Sequence, residues 1–255
     1  MEDGAHGRNA RELRALTRPA RWQATARRGR PTDYAPTTTR IQEGATSSIY
    51  VPPFRIDVTI RPGVPRVASR HRIAEAVRAT LDAAGAPGPA SIGVVLSADC
   101  ELTELNAMYM GSSGATDVLS FPFFPPEAFP PHERGAPGGR DPWVAAALKQ
   151  AFALPPGLRA HLGDIIVSVE RAIAQAEEGR GGQTGDRHWT AVEELLLLTV
   201  HGTLHTCGWD HAEPVEEAAM RATERRVLES LRRRGRGTEP AEVEPAEVER
   251  AAAER

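Results

Sequence analysis

Three histidines within the stretch HGTLHTCGWDH, from His201 to His211, carry the clearest chemical signal in the sequence. His201 and His205 are four residues apart, so a helix stacks their rings on one face. Gly208 ends such a helix where a left-handed residue is easily tolerated, and the returning chain can present His211 to the same point. Three neutral imidazoles on one Zn²⁺ ion leave a fourth tetrahedral position for water, the pattern of a catalytic site more than a structural one. Water held there is acidified toward a pKa of about 7 and supplies hydroxide at neutral pH. The metal-ligand candidates are therefore His201, His205 and His211. The remaining histidines, His6, His71, His132, His161 and His188, form no comparable cluster.

The spacing HxxxHxxGxxH is zincin-like and matches the metzincin proteases, whose second position carries a glutamate general base. Here that position is Gly202. A general base contributes roughly 10²- to 10⁴-fold to such a reaction. A zinc hydrolase of peptides or small esters is thus the weaker reading of the motif.

Other side chains have two readings each. Asp210 either orients a ligand imidazole or stabilises the turn. Asp117, Thr116 and Asp164 lie at strand starts, facing a cleft or serving turns and caps. Cys207, two residues past His205, points away from the metal into the core. Met220 is an apolar floor beneath the metal or simple packing. Arg221, Arg225, Arg226 and Arg232 to Arg234 make the last helix basic, as a phosphate-backbone contact or a solvated face. Glu193 and Glu194 suit the N-terminal dipole of the metal-bearing helix and need no catalytic role.

Periodicity supplies the elements that must hold these residues. IDVTI (Ile56–Ile60) alternates as a half-buried strand does. Val67 to Ala84 reads as an amphipathic helix on Ile73, Val77 and Leu81, stopped at Gly85. SIGVVLS (Ser91–Ser97) is a second strand. Asp99 is placed to cap a helix carrying Leu102, Leu105 and Met108, stopped by Gly111. TDVLSFPF (Thr116–Phe123) and GDIIVSV (Gly163–Val169) complete four strands. Ser168 caps a helix to Ala176, GRGGQTGDR is a link without P-loop spacing, and two helices follow, about Trp189–Cys207 and Pro214–Arg233. The expected fold class is α+β or mixed α/β: a small mixed four-stranded sheet flanked by about five helices.

Composition bounds the rest. With 255 residues, 40% apolar and 25% charged, the chain has an ordinary globular make-up. Glycine and proline cluster outside the periodic segments. Residues 1–52 are read as a disordered arginine-rich arm, 53–234 as the catalytic domain, 124–161 as a surface insertion with a short helix near Trp143–Phe152, and 235–255 as an acidic low-complexity tail. The net charge of −3 argues against a polybasic nucleic-acid binder overall. Two cysteines make no disulfide framework, no secretory h-region opens the chain, and no apolar run reaches the ~20 residues of a membrane span. The expected setting is cytoplasmic, without membrane association; the oligomeric state is left open.

HGTLHTCGWDH resembles the HGxLHLxGyDH signature of the YbeY family, bacterial metal-dependent endoribonucleases of rRNA maturation. In the same order, LNAMYMGSSGATDVLSFPF is similar to that family's LNxxYRxxxxxTDVLSFP segment, and LGDIIVSVERAIAQAEEG to LGDIxISxExAxxQAxE. EEAAMRATERRVLESL resembles the helix that ends the domain. The resemblance covers about Val58 to Leu231. It implies zinc held by His201, His205 and His211. It also implies single-stranded RNA as substrate, with 16S rRNA 3′-end maturation and ribosome quality control as the setting, and a ribosomal subunit or assembly factors as partners. Two positions depart from the pattern: Met110 stands where the family has an arginine able to hold phosphate, and Thr206 replaces leucine. Met110 keeps a second reading open, a metal-stabilised ribosome-assembly factor with little catalysis.

Overall fold

A computed structural model describes residues 44–111, 114–130, 159–179 and 189–236 of the chain. Alternation of buried and exposed residues builds its sheet. In β2 (Phe54–Ile60), Phe54, Ile56, Val58 and Ile60 are buried while Arg55, Asp57 and Thr59 look the other way. β3 (Ala90–Ser97) and β5 (Ala160–Ser168) are buried along most of their length, as central strands are. The order is β1-β2-β3-β5-β4, where β1 is Ala45–Val51 and β4 is Val118–Pro122. The β2–β3 and β3–β5 pairs are parallel; both outer pairs are antiparallel.

The expectation of four strands is corrected to five. β1 falls inside the segment assigned to a structureless arm, and it hydrogen-bonds along the whole of β2. Its seven residues, ATSSIYV, are mostly exposed, so no hydrophobic face marked it in the sequence. Residues 1–43 lie outside the described residues, as do 131–158, the helix expected near Trp143–Phe152, the glycine-rich link and 237–255. The ends of the expected insertion are built into the domain. Ala128 and Phe129 are buried beside a short 3-10 turn, and Ala160 and His161 open β5.

Five α-helices are described: α1 (Arg70–Ala83), α2 (Asp99–Leu105), α3 (Val169–Glu177), α4 (Ala191–Thr206) and α5 (Pro214–Arg236). Ser69 and Ser168 cap α1 and α3 with their side chains. Ala98, not Asp99, occupies the cap position of α2. Asp99 instead accepts hydrogen bonds from Ser168 and Arg171, tying α2 to α3. α2 continues into a π-helical turn, Asn106–Met110, which ends at Gly111 in the left-handed region (φ 64°).

α4 is apolar around its circumference, the mark of a helix enclosed on all sides. It touches α1, α3 and α5 as well as β4 and β5. Thr190 and Glu193 close a reciprocal capping box at its start. Among the described residues, no helix is long and apolar enough to cross a membrane.

Candidate metal centre

Gly202 decides how closely α4 can lie on the sheet. A Cβ there would stand 2.6 Å from Ile165 Cγ2 and 2.8 Å from Val118 Cγ2. Its carbonyl accepts from the hydroxyls of Ser120 and Thr206, both at 3.0 Å. Position 202 therefore faces β4 and β5, and the residue adjacent to His201 is a seat for the helix. Thr206 is buried and satisfied by this same bond, so the polar side chain fits where the family signature has leucine.

α4 ends by a return bond from the Trp209 N–H to the Leu204 carbonyl, 3.1 Å. Gly208 makes this turn possible with φ 80°, and a Cβ on it would meet Pro126 Cα at 2.6 Å. The turn has two consequences. It brings the Trp209 carbonyl to His205 Nδ1, 2.9 Å, and it carries His211 back to the helix.

His201, His205 and His211 come together as the spacing predicts. Each offers a nitrogen, and these atoms all lie within 4.8 Å of one another. His201 Nδ1 donates to the carboxylate of Glu224 on α5 at 2.7 Å, and Glu224 is buried. His205 Nδ1 donates to the Trp209 carbonyl. Both tautomers are thereby set, and the two free Nε2 lone pairs face each other at 3.1 Å. Two acceptors that close are favourable with a cation between them, so the donor set fits a divalent metal. Burial and the neighbouring His201 push the His205 pKa down to about 4, with His211 adding to the effect, so the ring is neutral and ready to ligate at neutral pH.

The triad opens on a cleft of about 390 Å³. Met110, Thr116, Asp117, Ser120 and Asp210 stand along it. Asp210 binds the N–H of His211 at 2.8 Å, so it shapes the turn. Asp117 accepts from Gln175 at 3.1 Å. Asp164 is not part of this assembly; it meets His161 at 3.1 Å on the opposite sheet face. Cys207 is fully buried, and burial raises its thiol to about 12, which keeps it protonated. Met220 is buried behind the triad, in a smaller cavity shared with His201, His211 and Glu224. Arg221 pairs with Glu217, and Arg232 pairs with Glu193 and lies over Trp189, so part of the basic surface of α5 holds the fold. Glu224 was missed in the sequence, since nothing local marks a carboxylate 23 positions from its partner.

The family model and the curated relatives give one consistent result. The family model for Endoribonuclease YbeY matches residues 61–232. A protein of Roseiflexus sp. (strain RS-1) named "Endoribonuclease YbeY" is 34% identical over 177 residues, covering 69% of this chain and 92% of its own. One of the same name from Salinispora tropica is 38% identical over 155 residues, 61% of this chain and 83% of its own. A solution structure of a Thermotoga maritima protein covers 74% of this chain and 97% of its own at 19% identity and a TM-score of 0.38.

Proposed function

From the premise that this chain belongs to the YbeY endoribonuclease family, hydrolases acting on RNA, we propose a zinc-dependent cleavage of single-stranded RNA at the three-histidine centre. The observation that carries this reading is the convergence of three imidazoles with two tautomers fixed by Glu224 and Trp209. The choice of zinc follows from the donors. All are imidazole nitrogens, and two Zn–N bonds of 2.0–2.1 Å at a tetrahedral angle need an N···N separation of about 3.3 Å. The 3.1 Å between the His201 and His205 Nε2 atoms is close to this. The site is then zincin-like in its ligands, with Gly202 in place of the protease base.

When bound, zinc supplies Lewis acidity, acidifying water and offsetting charge on a phosphoryl oxygen. The chain's own residues do the positioning. Glu224 and the Trp209 carbonyl hold the His201 and His205 rings, Asp210 holds the His211 backbone, and the cleft wall shields the site. Asp117, Asp210 and Thr116 present polar atoms to a substrate entering the cleft. The family setting supports 16S rRNA 3′-end maturation and ribosome quality control in the cytoplasm, with a ribosomal subunit or assembly factors as partners.

Metal analysis of the purified protein, paired with an RNA cleavage assay, tests the reading. Wild type is expected to hold one zinc and to cut single-stranded RNA, and His205→Ala to lose both. Equal cleavage by the two proteins would sink it. The assembly-factor reading rests on Met110, which lines the cleft where the family has arginine. Met110→Arg is expected to raise cleavage; unaltered cleavage removes that argument.

A further inference from the structure

The cleft that leads to the triad is a poor phosphate binder by its walls. Among the described residues lining it there is neither lysine nor arginine, and it presents Asp117 and Asp210. Most of its remaining lining is apolar, with Met110, Leu119, Pro122 and Phe124. The described walls of the cleft offer an RNA strand little counterion release, so a second binding surface would add affinity.

The outer face of the sheet edge carries aromatic rings. β4 is the terminal strand of the sheet, next to β5. Val118 and Ser120 point toward Gly202 on α4, so alternation turns Phe121 and Phe123 to the opposite face. Pairing continues past the strand, since the Phe123 N–H bonds the Leu162 carbonyl at 2.9 Å. Phe121 meets the Tyr109 ring edge-on with centroids 5.3 Å apart, and Phe123 meets the His161 ring at 5.1 Å. The two ring pairs sit at positions two apart, on one face of β4 and its continuation.

Two of these rings are unusually open: Tyr109 is 60% exposed and Phe123 61%. Large aromatic surface left in water is expected where it serves binding. His161 is held in place, with Nδ1 at 3.1 Å from Ser91 Oγ and Nε2 at 3.1 Å from Asp164. The rings flank the metal cleft across the strand edge: Tyr109 adjoins Met110, and Phe121 lies between Ser120 and Pro122, all three of these neighbours lining the cleft.

We propose that Tyr109, Phe121, Phe123 and His161 are a base-stacking row on which single-stranded RNA lies as it rounds the β4 edge into the metal cleft. Every base has a π face, so such a row grips a strand without reading its sequence. It excludes duplex RNA, whose bases are already stacked. The inference rests on the endoribonuclease reading and names the surface that reading requires.

The test uses the full chain and a fluorescein-labelled, mixed-sequence single-stranded RNA of about 12 nucleotides, the length chosen to span one site. Binding is followed by anisotropy with chelator present, at low and at moderate salt. Zinc-supported cleavage is followed separately on the same proteins. Tyr109→Ala and Phe123→Ala are each expected to weaken binding about fivefold or more. The double variant is weaker still. Tyr109→Phe and Phe123→Tyr retain affinity, because they retain the ring. The ratio of wild type to variant is expected to hold as salt rises, which loss of a phosphate contact would not do. Thermal midpoints stay at the wild-type value, since both rings are more than half exposed.

Alanine variants that bind RNA as wild type does would overturn the proposal. So would variants whose only change is loss of self-association, which would make the row a contact between copies of the chain. If wild type binds through the row but cuts no RNA with zinc, the nuclease reading fails and the row stands. If wild type cuts RNA and the alanine variants bind unchanged, the row fails and the nuclease reading stands.

Discussion

Glu224 sits 23 residues along the chain from His201 and on a different helix, yet it sets which nitrogen of His201 is free. Carboxylates in this position orient a ligand ring, and their loss typically costs 10- to 100-fold in metal affinity. Glu224→Ala is therefore expected to weaken zinc binding by roughly that factor in competition with a chromophoric chelator. Glu224→Gln, which can still accept from Nδ1, loses less. His205 adds a pH dependence. Its folded pKa of about 4 lies below the ordinary 6.5, so the unfolded chain binds more protons in that window. Stability of the metal-free protein is expected to be insensitive to this group above pH 6.5 and to fall as pH drops toward 4. Thermal unfolding in chelator measures the decline, and His205→Gln flattens it. The three-histidine cluster was legible in the sequence, because a four-residue helical spacing followed by a glycine break brings such rings together. Glu224 was not, because its role exists only once α4 and α5 are packed.

At the scale of elements, α4 reads the sheet through a missing side chain. Gly202→Ala inserts a methyl group between α4 and the side chains of Ile165 and Val118, at separations that require one of them to move. Such overpacking costs about 1–3 kcal/mol. Denaturant unfolding is expected to show a loss in that range, with zinc binding weakened through displacement of His201. In the sequence Gly202 marks the lack of a base; in the fold it is a close approach of helix to strand. The helices with an apolar stripe or a clear cap were legible to within a few residues. β1 was not, because an edge strand with mostly exposed side chains is held by backbone hydrogen bonds, and those leave no hydrophobic pattern.

Across the whole molecule, the sheet separates support from chemistry. β1 forms one edge and β4 the other, so the cleft lies at the end of the sheet away from the first strand. β1 covers β2 along all seven of its residues. A chain beginning at Gly44 is expected to unfold at a higher temperature than one beginning at Pro53, as followed by circular dichroism, because the shorter one leaves β2 as an open edge. Zinc should raise the midpoint of both, since β1 contributes no ligand and binding stabilises the native state by mass action.

The turn at Gly208 also installs an optical probe. It buries the Trp209 indole in the cleft wall, 7% exposed, beside the rings that would share an ion. A paramagnetic ion such as Cu²⁺ or Co²⁺ taken up by the triad quenches emission from an indole so near, whereas Zn²⁺, with a filled d shell, does not. Exchange of one ion for the other can then be followed in real time on the unlabelled protein, and Trp209→Phe is expected to remove most of the signal.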